Sequence, residues 1–460
     1  MALLKKPILN LFKGNRASNA PTRQDLWFLP LGGTGEIGMN ANLYGHHNQW
    51  LLVDCGVGFD NTGTRRYLPD TRFIEENRHK LQAIVITHGH QDHIGALVKL
   101  WPLLKAPIYA TPFAAAILRQ SLTRNDDEID LPIKEIVFNQ DYFFGTFSVR
   151  WMPIPHSIPE ASALLIETSA GRVLHSGDWR FDTSPVIHSG FNQADFKQLQ
   201  KLSIDAMVSD STNATKHTSN ASESELFNDL KKVIKKQSGR VVVSCFSTNI
   251  SRIITIARVA QHLNKKCAVL GRSIENMQSI AKRLGYWPEG LSLVNPHHIG
   301  YLPANDIIVI ATGSQAEPNA TLQKLLMHRH PLFYLEAGDT VIYSAIRIPV
   351  NEERIIKQME AFKNIGINVV HADDERTNGL KLHASGHANA EDIKKLYQLV
   401  RPKLLIPTHG ETHHMTNNAL VAKKCGIENV LMGCDGDLFK LKPFAGKVRG
   451  FVKIEPILLN

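Results

Sequence analysis

The chain has 460 residues, of which 43% are hydrophobic and 21% are charged, a balance that is typical of a folded globular protein. This length allows two or three domains with sizeable cores. Lys and Arg outnumber Asp and Glu by 52 to 43, an excess that permits a polyanionic partner without specifying one. The five cysteines form no Cys-x-x-Cys pair, so we expect no disulfide framework and a reducing, cytoplasmic environment.

The first residues show none of the features of an export signal. Met1–Lys13 mixes lysine and proline into its apolar residues, whereas a signal peptide needs an uninterrupted apolar segment. No apolar run in the sequence approaches the roughly 18 residues of a membrane-spanning helix. We therefore predict that residues 1–25 form an N-terminal arm, either mobile or packed on the body of the protein.

A glycine-rich turn follows the first predicted strand, Trp27–Leu31. The turn, Gly32–Gly38, lacks the lysine of a nucleotide-binding P-loop, so we predict a tight turn beneath the functional site. The next predicted strand carries Asp54 near its end. A carboxylate in that position can orient a metal ligand without itself binding the metal.

The densest group of potential metal ligands follows the apolar run Ala83–Ile86, which predicts a buried strand before a helix. Three histidines and one aspartate fall within six residues: His88, His90, Asp92 and His93. Imidazole and carboxylate suit Zn²⁺ or Mn²⁺. The two histidines one residue apart can bind one ion, and the Asp-His pair can reach a second. A solvated polar loop is the alternative, but this density favours metal binding.

Further predicted strands, far apart in sequence, also end near histidine or aspartate. Trp151–Pro155 precedes His156, and Arg172–Ser176 precedes Asp178. The pattern returns near the C-terminus, where predicted strand ends carry His383, His387 and His409. Each such residue alone is more often structural, but together with the cluster they indicate a metal site assembled from several strands.

Residues 213–370 differ in pattern, because predicted strands alternate there with amphipathic helices. Ser222 and Glu225 have the spacing of a capping box, and Ile250–Lys266 predicts a longer helix. This alternation indicates an α/β unit of its own. Since ligand-like residues flank it, we expect an insertion into the metal-binding domain, with the site in the cleft between them. The predicted metal-binding domain comprises residues 26–212 and 371–445, and residues 446–460 form a C-terminal tail.

These residues give the sequence a resemblance to the ribonuclease J family, in the β-CASP branch of the metallo-β-lactamase nucleases. The matching phrases lie between about Leu29 and about Gly436: Leu31–Gly38, Thr87–Gly95, Ser176–Asp182, Ser209–Ala214, Ala311–Pro318, His383–His387 and Pro407–Glu411. The resemblance implies an α/β fold, in which a metallo-β-lactamase αββα sandwich carries an inserted β-CASP domain.

The resemblance also implies two divalent metal ions per subunit, Zn²⁺ or Mn²⁺. One ion would be held by His88, His90 and His156. The other would be held by Asp92, His93 and His409, with Asp178 bridging the two and Asp54 orienting a ligand.

Catalytic and substrate-binding residues follow from the same resemblance. Asp92 is a catalytic candidate, Asp210 matches the family's acidic motif, and His387 matches the histidine that faces the scissile phosphate. Whether His387 or Asp210 protonates the leaving oxygen stays open. The loop that would bind substrate phosphate comprises His383, Ala384, Ser385, Gly386 and His387. Ser247 and Asn249, before a predicted helix, are further phosphate-binding candidates, although a simple helix cap explains them equally well.

The implied activity is hydrolysis of single-stranded RNA in RNA processing and decay, as a 5′-to-3′ exonuclease that prefers 5′-monophosphate ends and also cleaves internally. A DNA-processing β-CASP nuclease is the first alternative, because it shares the catalytic motifs. A small-molecule hydrolase on this fold would lack the inserted domain. A non-catalytic scaffold would lack ligands, whereas all seven positions are filled.

The sequence departs from the family pattern in two places. Family members commonly continue into a small C-terminal domain that supports dimers, but only Lys440–Asn460 follow here, which leaves a homodimer open. Within Ser344–Asn351, Arg347 and Val350 stand where a glycine-rich phrase is expected. We expect these two residues to alter the substrate channel or an interface.

Overall fold

The structure is a computed structural model that describes residues 20–60, 65–122, 130–187, 190–217 and 221–459. Most of the predicted N-terminal arm, residues 1–19, therefore lies outside the described residues. Across the described ranges, no helix has the length and apolar character needed to cross a membrane.

The secondary structure alternates strands and helices along most of the chain. The strands are β1 Leu26–Gly32, β2 Ala41–His46, β3 Gln49–Val53, β4 Gly58–Phe59, β5 Arg66–Leu68, β6 Leu81–Val85, β7 Ile108–Ala110, β8 Ile133–Glu135, β9 Asp141–Phe144, β10 Phe147–Pro153, β11 Ser162–Glu167, β12 Arg172–His175, β13 Ala206–Asp210, β14 Val241–Ser244, β15 Lys266–Leu270, β16 Ile307–Ala311, β17 Thr340–Tyr343, β18 Asn368–His371, β19 Leu404–Thr408, β20 Asn429–Val430, β21 Leu438–Lys442, β22 Gly446–Val448 and β23 Ile457–Leu459. The helices are α1 Arg72–Glu76, α2 Gln91–Ile94, α3 Leu97–Leu104, α4 Pro112–Leu122, α5 Gln193–Leu202, α6 Leu226–Lys235, α7 Ile250–His262, α8 Arg272–Arg283, α9 Thr321–Leu326, α10 Glu352–Asn364, α11 Ala372–Thr377, α12 Ala390–Val400 and α13 Thr412–Lys424. Short 3₁₀ helices cover Arg78–Lys80, Glu223–Glu225, Pro296–Tyr301, Ala304–Asp306 and Pro349–Asn351.

Two mixed sheets pack face to face to form the metal-binding domain. The first has the strand order β22-β21-β1-β2-β3-β6-β7-β8, and the second has the order β20-β19-β13-β12-β11-β10-β9. Side chains alternate between the faces of each strand. Leu26 and Phe28 therefore point into the core between the sheets, where they join Trp151. Trp27 and Leu29 point to the opposite face of the sheet, where they are buried in a second cluster.

Helices cover both outer faces of this pair of sheets. Residues of α1, α3 and α4 pack on the first sheet, and residues of α5, α12 and α13 pack on the second. The resulting order of layers is helix, sheet, sheet, helix. The predicted αββα sandwich is thus confirmed.

A separate parallel sheet, with the strand order β15-β16-β14-β17-β18, forms the inserted domain. Alternate residues of β14 face its two sides. Val241 and Val243 pack with α6, α7 and α8, while Val242 packs with α9 and α10. Such a layered α/β unit between two parts of the metal-binding domain agrees with the predicted inserted domain.

The capping box at Ser222 and Glu225 is present as predicted, but two predicted helices differ from the structure. The helix predicted for Ile250–Lys266 ends at His262, because Asn264 adopts a left-handed φ of 55° and Lys265 already belongs to the turn into β15. The helix predicted after the histidine cluster is interrupted between α2 and α3. There the Ala96 amide donates to the Cys55 carbonyl instead of continuing the helix.

The residues predicted as a C-terminal tail contribute strands to the body of the protein. β22 pairs with β21 at the edge of the first sheet. β23 pairs with β5 in a small three-stranded sheet that also contains β4. Residues up to 459 are therefore packed on the metal-binding domain.

Candidate metal centre

The ends of three neighbouring parallel strands bring distant residues together. β12 pairs in parallel with β13, and β13 pairs in parallel with β19, so their carboxyl ends lie at one edge of the second sheet. Asp178, Asp210 and His409 are positioned at or just after these ends. The loops after β6 and β10 add the histidine cluster and His156 at the same place.

The first group of potential ligands contains His88, His90, His156 and Asp178, whose donor atoms all lie within 4.8 Å of one another. The Nδ1 atom of His90 is 3.0 Å from Nε2 of His88 and 3.1 Å from Nε2 of His156. Oδ2 of Asp178 lies 3.8 Å from the first of these Nε2 atoms and 3.9 Å from the second. Three nitrogens and one oxygen thus surround a common point, as in a tetrahedral zinc site.

The second group contains Asp92, His93, His409 and Asp178. Oδ2 of Asp92 is 3.6 Å from Nε2 of His93 and 3.3 Å from Nε2 of His409. Oδ2 of Asp178 is 3.2 Å from the same His93 nitrogen. Asp178 therefore stands between the two groups, in the position that a bridging carboxylate requires.

Each of these histidines also contacts an oxygen through its other ring nitrogen. The contacts are His88 to Thr87 Oγ1 at 3.1 Å, His90 to Thr248 Oγ1 at 3.1 Å, His93 to Asp54 Oδ2 at 2.7 Å, His156 to the Gly386 carbonyl at 2.6 Å, and His409 to Thr212 Oγ1 at 2.7 Å. Such partners fix the orientation and tautomer of a metal-binding imidazole. Asp54 itself accepts hydrogen bonds from the amide and hydroxyl of Thr87, so it is fixed against the ring of the candidate ligand His93.

The charges at the centre also suit cations. Burial lowers the pKa of His90 to about 4, and burial lowers the pKa values of His88 and His156 well below their usual range, which keeps these rings neutral and able to bind metal. Burial also lowers the pKa of His409, but the nearby carboxylates, led by Asp178, outweigh it and raise this pKa to about 10. Carboxylates that stabilise a positive charge on a buried ring also attract metal cations. The residues present therefore fit a pair of divalent ions.

Asp210 and His387 form a carboxylate–imidazole pair beside the two ligand groups. Nδ1 of His387 lies 2.9 Å from Oδ2 of Asp210, and the other carboxylate oxygen accepts from the amide and hydroxyl of Thr212. Burial lowers the pKa of His387, but the Asp210 and Asp178 carboxylates outweigh it and raise this pKa. The His387 side chain is 23% exposed and that of Asp210 is 1% exposed. His387 therefore reaches the open side of the site.

The segment predicted as a strand ending at His387 is a loop, because side chains rather than a neighbouring strand bind its backbone. Arg180 donates to the Ser385 carbonyl at 2.9 Å. The buried Arg252 reaches the Leu382 and Ala384 carbonyls at 3.5 Å, and Asn213 donates to the Ser385 hydroxyl at 2.6 Å. The prediction of a strand here was wrong.

The candidate phosphate-binding residues differ in how far they can meet a ligand. His383 is held against the Ser344 carbonyl, and burial, followed by the nearby Arg252 charge, lowers its pKa well below the usual range. Ala384 is buried, whereas Ser385 and Gly386 are half-buried, as is Ser247. Asn249 is buried and caps α7 by accepting from the Arg252 amide at 3.0 Å. The structure thus places Asn249 in the role of a helix cap.

Replacing Asn249 by alanine should lower the free energy of unfolding by about 1 kcal/mol, because the first turn of α7 would lose its cap. Asn249→Asp should retain the stability, since aspartate caps equally well. Thermal unfolding measures both variants. The cap assignment is contradicted if alanine leaves the melting temperature unchanged, or if aspartate lowers it as much as alanine does.

Several residues shape the site through contacts that the sequence does not show. Thr248, Arg180 and Arg252 act through contacts with residues far away in the chain.

Arg347 was expected to alter a channel or an interface, but it pairs with Asp374 at the start of α11 at 2.7 Å. Val350, three residues later, is 47% exposed, and its effect on an interface stays a prediction.

Comparison with protein families matches three consecutive parts of the chain. Residues 49–233 match the beta-lactamase superfamily domain, residues 238–362 match the beta-CASP domain of ribonuclease J, and residues 380–432 match the RNA specificity domain of Zn-dependent metallo-hydrolases. The middle match falls on the inserted parallel sheet and its helices.

Whole-chain relatives extend this result. The chain is 37% identical to "Ribonuclease J" of Sinorhizobium meliloti, over 92% of this chain and 76% of the relative. It is 33% identical to "Ribonuclease J" of Mycolicibacterium smegmatis, over 94% and 77%, and 32% identical to "Ribonuclease J 1" of Streptococcus pyogenes, also over 94% and 77%.

A solved structure shares the fold. The crystal structure of a protein of unknown function from Enterococcus faecalis V583 superposes with a TM-score of 0.61 at 16% identity, over 90% of this chain and all of that one. This likeness concerns the fold alone, whereas the relatives above establish the family. The chain belongs to the ribonuclease J family, whose metallo-β-lactamase domain carries an inserted β-CASP domain.

Proposed function

We propose that the chain is a metal-dependent ribonuclease that hydrolyses phosphodiester bonds in single-stranded RNA, in RNA processing and decay. It would act as a 5′-to-3′ exonuclease that prefers 5′-monophosphate ends, and also as an endonuclease. The observation that carries the proposal is the convergence of two ligand groups on Asp178, next to the Asp210–His387 pair. The names of the relatives and the match to an RNA specificity domain support RNA as the substrate.

The first ion would be held by His88, His90, His156 and Asp178, and the second by Asp92, His93, His409 and Asp178. When bound, two such divalent ions activate water near neutral pH and stabilise charge on the scissile phosphate. Imidazole and carboxylate ligands of this kind accept both Zn²⁺ and Mn²⁺.

We assign proton donation to the leaving oxygen to His387 and orientation of its ring to Asp210. The buried Asp210 carboxylate holds Nδ1 of His387 and so orients the ring, whose side chain is partly exposed at the site. Asp210 itself has both oxygens engaged by Thr212 and His387. The Asp210 and Asp178 carboxylates stabilise the protonated form of His387. A protonated side chain within hydrogen-bond reach of the leaving oxygen can act as a general acid.

A phosphate-binding pocket would lie between the loop Ser385–His387 and the start of α7. Free amides at the start of a helix favour anions, and Ser247 is half-buried there. Phe246, directly before it, is 40% exposed and offers a surface on which a base can stack. A terminal 5′-monophosphate held in this pocket would fix the register for stepwise cleavage. A homodimer and a cytoplasmic location stay predictions.

One RNA sequence, prepared with a 5′-monophosphate or a 5′-triphosphate, tests the proposal when Mn²⁺ or Zn²⁺ is supplied. The monophosphate form should release mononucleotides faster, because only its terminal group fits the pocket, and the triphosphate form should yield internal fragments. Gel or chromatographic analysis of the products separates the two patterns. DNA of the same sequence is the control, and cleavage of DNA in place of RNA would favour a DNA-processing β-CASP nuclease.

A further inference from the structure

The segment that leads into α7 in the inserted domain contacts a residue of the first ligand group directly. Nδ1 of His90 points towards His88 and His156, at 3.0 and 3.1 Å from their Nε2 atoms. Nε2, on the opposite side of the same ring, lies 3.1 Å from the hydroxyl of Thr248. Thr248 lies directly before Asn249, the cap of α7, so the inserted domain sets the orientation of this ring.

The other histidines of the centre are held differently. Their second nitrogens meet oxygens of residues outside the inserted parallel sheet and its helices, namely Thr87, Asp54, Gly386 and Thr212. Among the candidate ligand histidines and within the described part of the chain, His90 is the one whose orienting oxygen belongs to the inserted domain. The first ligand group therefore depends on how that domain sits, whereas the second group is supported by the metal-binding domain itself.

A second connection runs from the same helix to the same ligand group. Arg252, which is completely buried, donates to the Ser344 carbonyl at 2.6 Å and reaches the Leu382 and Ala384 carbonyls. These contacts hold the loop whose Gly386 carbonyl lies 2.6 Å from Nδ1 of His156. Both connections thus end on the first group: Thr248, before the cap of α7, contacts it directly, and Arg252, in α7, acts through the loop.

We propose that Thr248 is a positioning residue that couples the inserted domain to metal binding by the first ligand group, His88, His90, His156 and Asp178. The hydroxyl accepts the Nε2 hydrogen of His90, which leaves the Nδ1 lone pair directed at the ion. Because coupling between two equilibria is reciprocal, metal bound there holds the first turn of α7 against the metal-binding domain. This inference rests on the proposed function only in placing a metal at that group.

Thr248→Val tests the coupling, since valine keeps the shape of threonine but cannot accept the hydrogen bond. Zinc affinity is measured by competition with a chromophoric chelator on the 460-residue chain. One of the two zinc equivalents should bind roughly 10- to 100-fold more weakly, as is typical when an orienting partner is lost, and the other should be unchanged. Thr248→Ser should restore the wild-type affinity, and the neighbouring Ser247→Ala should leave both equivalents unaffected.

Hydrogen exchange gives a second readout that does not depend on activity. Zinc should slow the exchange of the first amides of α7 in the wild type, and this protection should be reduced in Thr248→Val. Unchanged zinc affinity in the valine variant, equal weakening of both equivalents, or failure of serine to restore binding would overturn the inference. A different result would contradict the proposed function. If the wild-type chain binds zinc but does not cleave RNA, the proposed function is contradicted and the coupling through Thr248 is not.

Discussion

Asp178→Ala should lose metal from both ligand groups and lower RNA turnover on the order of 10⁴-fold, which corresponds to about 5.4 kcal/mol of transition-state stabilisation. The reason is the position of this carboxylate, whose Oδ2 lies 3.2 Å from His93 and 3.8 Å from His88, one in each group. Removing it takes a ligand and a negative charge from both groups at once. The expected loss therefore exceeds that from any residue that contacts one group alone.

Single-turnover hydrolysis of 5′-monophosphorylated RNA measures this effect without interference from product release. Asp205→Ala is a matched control, because it also removes one aspartate from the second sheet but does so away from the site. Asp205 lies just before β13, whereas the site residue Asp210 is at the other end of that strand. Asp205 pairs with Lys403 and Lys442 at 3.0 and 2.7 Å, so its loss should affect stability rather than turnover. An Asp178→Ala enzyme that retains turnover within tenfold of the wild type contradicts the bridging position.

His387→Ala should lower turnover roughly 10²- to 10⁴-fold, the range expected when a general acid is lost. Metal content should stay at the wild-type value, because the first and second ligand groups are complete without this residue. The structure also places Asp178, Asp210, His387 and His409 within ligand distance of one another. We attribute the close contact in this third set to the Asp210–His387 pair, which spans 2.9 Å.

The pH dependence and the leaving group distinguish this role from a structural one. His387→Ala should abolish the limb of the rate profile that reports the general acid, and an RNA analogue with a better leaving group at the scissile bond should recover part of the lost rate. His387→Gln keeps a polar side chain but cannot donate a proton as an acid, so it should be nearly as slow as alanine. Equal rate losses on the ordinary and the activated substrate would contradict the assignment.

The candidate ligands could be predicted from the sequence because their signals are local. Four of them lie within six residues after a β-branched apolar run, and a strand-to-helix turn is short enough to direct them to one point. His156, Asp178 and His409 follow strands that are themselves recognisable. Parallel strands end at the same edge of a sheet, so separate sequence signals become a single site.

The environment of these residues could not be predicted in the same way. Thr248 and His90 are 158 positions apart, and no local pattern of either residue indicates the contact. The loop before His387 resembles a strand end in sequence, yet Arg180 and Arg252 bind its carbonyls. Buried arginine contacts of this kind arise from tertiary packing, which overrides the local preference for a strand.

Metal content, measured side by side after the same dialysis, tests the central claim most directly. The three proteins compared are the wild type, Asp178→Ala and His387→Ala. The claim is that two ligand groups meeting at Asp178 hold the ions, while His387 acts on the substrate. We expect two equivalents in the wild type and in His387→Ala, and a clear loss in Asp178→Ala. Equal metal loss in both variants, or full retention in both, would contradict this division of roles.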